Sequence, residues 1–105
     1  MIVAERRRSA RRPFFASAEI TEPETRYFVK ARTNELSRGG CYIDMLNPLL
    51  RETALEVRII RGGEAMDIPA RVVHSQPNIG MGLRFDVADS SPMGVLDQWL
   101  ADVDA

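Results

Sequence analysis

The chain has 105 residues, 45% apolar and 28% charged, the make-up of an ordinary globular protein with a single core, which excludes disordered, collagen-like and membrane-spanning classes. Its net charge of −1 conceals a split: residues 1–12 carry Arg6, Arg7, Arg8, Arg11 and Arg12 against Glu5 alone, so this segment is +4 and the remainder −5. A body of that charge has no general attraction for polyanions, and the lone Cys41 excludes an internal disulfide or a thiolate zinc cluster.

In chain order, Met1 to Ala4 is too short an apolar stretch, and too soon followed by charge, to act as a signal peptide. With no later apolar run long enough to span a bilayer, the sequence predicts a cytoplasmic protein without membrane insertion. The basic segment follows, predicted as a flexible arm over residues 1–13. Thirteen of the fourteen cations are arginine, and the planar, bidentate guanidinium suits phosphate or purine recognition better than solubility alone. Taken alone, such an arm equally fits a solvated tail or a generic polyanion binder.

From Phe15 onward the dominant pattern has period two, the mark of strands with one buried face. Ala16 to Ile20 reads as the first strand. Tyr27, Val29 and Ala31 share one face of the next; Cys41, Ile43 and Met45, then Leu55, Val57 and Ile59, then Ile68, Ala70 and Val72, and finally Met81, Leu83 and Phe85 repeat the alternation. Pro23, Gly39-Gly40, Asn47-Pro48, Gly62-Gly63, Pro77-Asn78 and Gly80 punctuate the strand boundaries, and Arg61-Gly62-Gly63-Glu64 reads as a tight hairpin. The spacing is that of a small antiparallel barrel or sandwich. After Phe85 the period lengthens: Val95, Leu96, Trp99, Leu100 and Val103 form one helical stripe, with Ser91 as cap and Pro92 in the first turn. Trp99 is the expected anchor of that helix on the barrel.

The stretch Asn34-Glu35-Leu36-Ser37-Arg38-Gly39-Gly40 is read as a connection between two strands. Its paired glycines allow close backbone approach, and the donors around them suit an anion or a base edge; a β-turn with a bulge explains the same residues without a ligand.

The arm and this turn together resemble the PilZ domain family. Arg7 and Arg11 match its Arg-x-x-x-Arg motif, with the frequent proline present as Pro13. Ser37 and Gly40, with Gly39, match its Asp/Asn-x-Ser-x-x-Gly motif. Cys41 to Met45 is similar to the strand after that motif, and Ile79 to Phe85 to a late Gly-x-Gly strand ending in Phe, so the resemblance covers nearly the whole chain. It departs at Glu35, where the family usually has Asp or Asn. Asn34 is adjacent, yet in a regular strand it faces the other way.

The resemblance implies a mainly β protein: one domain over 1–105, with the arm at 1–13, a six-stranded antiparallel β-barrel over 14–88 and a C-terminal α-helix over 90–103. It implies a receptor or adaptor that binds cyclic di-GMP, changes conformation and signals to an effector protein, with no metal or further cofactor. Arg7 and Arg11 are then the clamps, and Arg6, Arg8 and Arg12 raise the local potential or meet a second stacked ligand molecule. Glu35 accepts from the guanine N1–H and amine, while Ser37, Gly39 and Gly40 hold phosphate or base edges. Homodimerisation on ligand binding stays open. The competing expectation is a PilZ-like protein–protein interaction module that binds no nucleotide. A nucleic-acid binder ranks third, because the body is acidic and Tyr27, Phe28 and Tyr42 form no clear stacking row. An enzyme is the poorest reading, since His74 and Cys41 fall in strand patterns and no nucleophile, phosphate-loop or metal motif is present.

Overall fold

The computed structural model describes residues 12–86 and 93–104. Six strands, β1 (Arg12–Glu22), β2 (Tyr27–Leu36), β3 (Gly40–Asp44), β4 (Ala54–Arg61), β5 (Glu64–Gln76) and β6 (Gly80–Phe85), precede one helix, α1 (Met93–Asp104). The strands pair antiparallel in the order β1-β2-β3-β6-β5-β4, and β1 pairs again with β4 to close a barrel.

The period-two residues account for the closure. Ile20, Leu36, Ile43, Val57, Ile59, Ile68, Val72, Met81 and Leu83 all point inward and are buried, so every strand contributes apolar area to one lumen and no edge is left open. The intervening residues face out. Across β2, β1, β4 and β5 one outer row runs Lys30, Glu19, Arg58, Asp67, alternating in sign. Arg58 donates two bonds to Asp67, at 2.7 and 3.0 Å, an exposed pair of the kind that adds little stability. The Arg61-Gly62-Gly63-Glu64 hairpin forms, with Gly62 at φ 62°.

Helix α1 covers one end of the barrel. Leu96 and Trp99 are fully buried, with Val95 and Leu100 packed beside them. The Trp99 ring lies 5.6 Å from that of Phe14, and its Nε1 donates to Glu64 Oε1 at 3.0 Å. Arg61 reaches Asp102 at 3.0 Å while its guanidinium sits 5.4 Å above the Phe14 ring. Trp99 is thus the anchor that the helical stripe predicts; Ser91 and Pro92 lie outside the described residues. Among the described residues no helix is long and apolar enough to cross a membrane.

Two elements differ from the sequence expectation. The first strand starts at Arg12 rather than Ala16 and ends at Glu22 rather than Ile20. The second runs through Leu36, so Asn34, Glu35 and Leu36 belong to β2 and not to a connection. On β2 the physical cause is a bulge. The β1–β2 register shifts between Pro13 and Ala16, and the β2–β3 register shifts between Thr33 and Glu35. A bulge inserts a residue and interrupts the alternation by which a strand is recognised.

Candidate ligand-binding site

At the first bulge Phe14 faces the core, on the same side as Ala18 and Ile20, and Phe15 is 67% exposed. The inserted residue breaks the ladder, and Thr33 compensates from β2, its buried Oγ1 donating to the Phe14 carbonyl at 2.7 Å. The second bulge places Asn34 and Glu35, both half-buried, between the inward-facing Thr33 and Leu36. Two adjacent side chains thus lie outside the lumen, which a regular strand forbids. Asn34 Nδ2 donates to Asp44 Oδ1 at 2.5 Å, and Asp44 also pairs with Arg32 at 3.2 Å. Arg32 in turn lies 5.7 Å over the Phe15 ring.

The turn that follows is organised by Ser37. Its backbone N–H donates to the Gly40 carbonyl at 2.9 Å, and its Oγ accepts from the Gly39 and Gly40 amides at 3.2 Å each. Both amides expected to meet the ligand are therefore turned in toward the serine hydroxyl. Gly40 must lack a side chain, because a Cβ there would stand 1.9 Å from the Leu83 carbonyl oxygen. The Gly39 carbonyl accepts from Phe85 N–H at 2.8 Å, tying the turn to the end of β6.

Register brings the two predicted halves together at their roots. Arg12 pairs with Leu36 and Pro13 with Glu35, so the chain enters the barrel directly beside the turn. Glu35 is also opposite Tyr42. Burial, then Asp44 and Glu35, hold the Tyr42 phenol above its usual pKa, and the protonated hydroxyl donates to Gln76 Oε1 at 2.8 Å. Arg6, Arg7, Arg8 and Arg11 lie outside the described residues, as does the side chain of Arg12.

Arg38 was not singled out in the sequence, although it stands inside the turn. Its guanidinium pairs with Asp97 of α1, 59 positions away, a contact that no local pattern signals. Cys41 points into the core, where burial pushes its thiol up to about 12, whereas His74 is exposed on the outside of β5. The two face opposite sides of the wall and form no nucleophile pair. Among the described residues no group of His, Cys, Asp or Glu is placed to hold a metal ion.

The family model described as PilZ domain matches residues 5–102. Among solved structures, the chain is similar to the PilZ domain of CeSA from a cellulose-synthesizing bacterium, with a TM-score of 0.77 and 21% identity over 92% of this chain and all of that one. It is also similar to the Bacillus subtilis inhibitor of motility (MotI/DgrA), with a TM-score of 0.69 and 16% identity over 90% of this chain, which spans 48% of the longer protein. No curated protein matches the chain in sequence.

Proposed function

Because the chain belongs to the PilZ domain family, a family of receptor and adaptor domains for cyclic di-GMP, we propose that it binds cyclic di-GMP between its arginine arm and the Ser37–Gly40 turn and passes the signal to a partner protein. One observation carries this reading. The β1 strand, which follows Arg7 and Arg11 in the sequence, starts against Leu36 and Glu35, at the root of the turn.

The ligand carries two phosphodiester charges and two guanines. Arginine serves both, by bidentate pairing with phosphate, by donation to guanine O6 and N7, or by stacking on the purine. The Asn34 bulge bears on Glu35, since it sets an amide and a carboxylate side by side where the family motif usually has one Asp or Asn. Asn34 donates its Nδ2 to Asp44, and the Glu35 carboxylate beside it is the acceptor type that the guanine N1–H and amine call for. A labelled cyclic di-GMP bound to the chain should stay bound under excess GMP and mixed-sequence oligonucleotide. Displacement by the oligonucleotide would favour the nucleic-acid reading, against which the alternating Lys30, Glu19, Arg58, Asp67 row already argues.

The Arg38–Asp97 pair supports an output through α1. Arg38 sits within the ligand turn, so a ligand that draws on its guanidinium competes with Asp97 and loosens the helix. The pair is about half exposed, worth roughly 0–1 kcal/mol, weak enough to exchange. Asp97→Ala should leave folding intact and abolish the ligand-induced change in the α1 amide resonances; an undiminished change would remove this route. The ligand-free interaction module remains the second reading, favoured by exposed Leu46, Leu50 and Ile79. Two of these are held close by bonds from Asn78 N–H to the Leu46 carbonyl and from Met45 N–H to the Ile79 carbonyl.

A further inference from the structure

Tyr42 occupies an unusual bed. It lies on the outer face of β3, opposite Glu35 on β2 and Gly82 on β6. A Cβ at Gly82 would stand 3.7 and 3.9 Å from Tyr42 Cδ1 and Cε1, and one at Gly80 would stand 2.8 Å from Cε2. These atoms belong to the two opposite edges of the ring, so the ring lies flat across β6 between the two glycines. Its hydroxyl extends beyond β6 to Gln76 on β5, which fixes the ring in this plane. The glycines leave room for the ring on this side, and the residue is only half-buried, so part of it stays open to solvent.

An aromatic ring covering strand glycines stabilises a sheet by itself. The position of this ring implies more. Its Cα partner is Glu35, and Gly40 of the turn lies two residues before it on the same outer face. We propose that the outward face of Tyr42 is the stacking platform for one guanine of the bound nucleotide, a role that rests on the cyclic di-GMP reading above. A base laid on the ring would bring its N1–H and amine edge toward Glu35 and its phosphodiester toward the turn. Because Gln76 and the glycine bed already hold the ring still, stacking costs no side-chain entropy. Stacking tolerates any base, so the selection of guanine falls to the edge contacts.

The test compares wild type, Tyr42→Phe and Tyr42→Leu by calorimetric titration with cyclic di-GMP, and follows the ring resonances of isotope-labelled tyrosine. Leucine keeps apolar cover beside Gly82, and the melting temperature of each variant separates a lost platform from a lost cover. The expected result is wild-type affinity for Tyr42→Phe, a loss of roughly 5- to 100-fold for Tyr42→Leu, and a ligand-induced upfield movement of the Tyr42 ring signals with Tyr27 unmoved. Unchanged affinity in Tyr42→Leu, an equal loss in Tyr42→Phe, or static Tyr42 ring signals would each overturn the platform while leaving the receptor reading intact. No binding of cyclic di-GMP to the wild type would overturn both.

Discussion

Trp99→Ala is expected to destabilise the protein by about 3–5 kcal/mol, the usual range for truncating a buried aromatic. Trp99 is fully buried, it supplies the only indole in the chain, and it closes the barrel end through Phe14 and Glu64. Its removal leaves a cavity under α1, exposes Phe14 and deprives Glu64 of its donor. For a domain of this size the melting temperature should fall by well over about 10 °C, followed by circular dichroism because the fluorophore itself is lost. The same variant should lose the ordered α1 before the strands melt, since Leu96 with the half-buried Val95 and Leu100 is a weak hold for a helix of twelve residues. A loss below about 1 kcal/mol would mean that the helix adds little to the core, and the route from Arg38 through Asp97 would lose its anchor.

Gly40→Ala should act on fold and ligand together. The added methyl meets the Leu83 carbonyl oxygen at 1.9 Å and its carbon at 3.0 Å. Both are backbone atoms of the paired strand, so no rotamer change relieves the contact, and β3 and β6 must part. Overpacking costs about 1–3 kcal/mol where side chains yield, and more where the backbone has to move, so a loss of about 3 kcal/mol or more is expected. Ser37 then loses the geometry by which its Oγ gathers the Gly39 and Gly40 amides. Gly63→Ala is the matched control, because nothing lies within 4 Å of a Cβ there and its effect should stay within about 0.5 kcal/mol. Equal denaturation midpoints for the two variants would refute the close β3–β6 approach.

The parts of the fold legible in the sequence were those with unbroken alternation. Leu55, Val57 and Ile59 on β4 and Met81, Leu83 and Phe85 on β6 face the lumen as their spacing implies. The helix declared itself through Leu96 and Trp99. Phe14 and Phe15 conceal the strand that continues through them because the outward-facing residue is itself apolar, whereas at Asn34 a bulge misled the pattern: it reads as the start of a connection although it is the inserted residue of β2. The site was legible only in part. Ser37 and Gly40 carry their motif locally, while the Arg38–Asp97 pair and the glycine bed of Tyr42 depend on long-range register, which no local spacing encodes. Glycines 80 and 82 were visible as part of a motif; that a ring lies across them follows only from the closed barrel.

Calorimetric titration of cyclic di-GMP into the wild-type chain, Arg7→Ala and Arg11→Ala, with molecular mass measured at each end point, tests the central claim most directly. The account predicts saturable binding by the wild type and a loss of roughly 5- to 100-fold or more in each variant, as befits removal of a bidentate arginine. Wild-type affinity in both variants, or no saturable binding by the wild type, would contradict it.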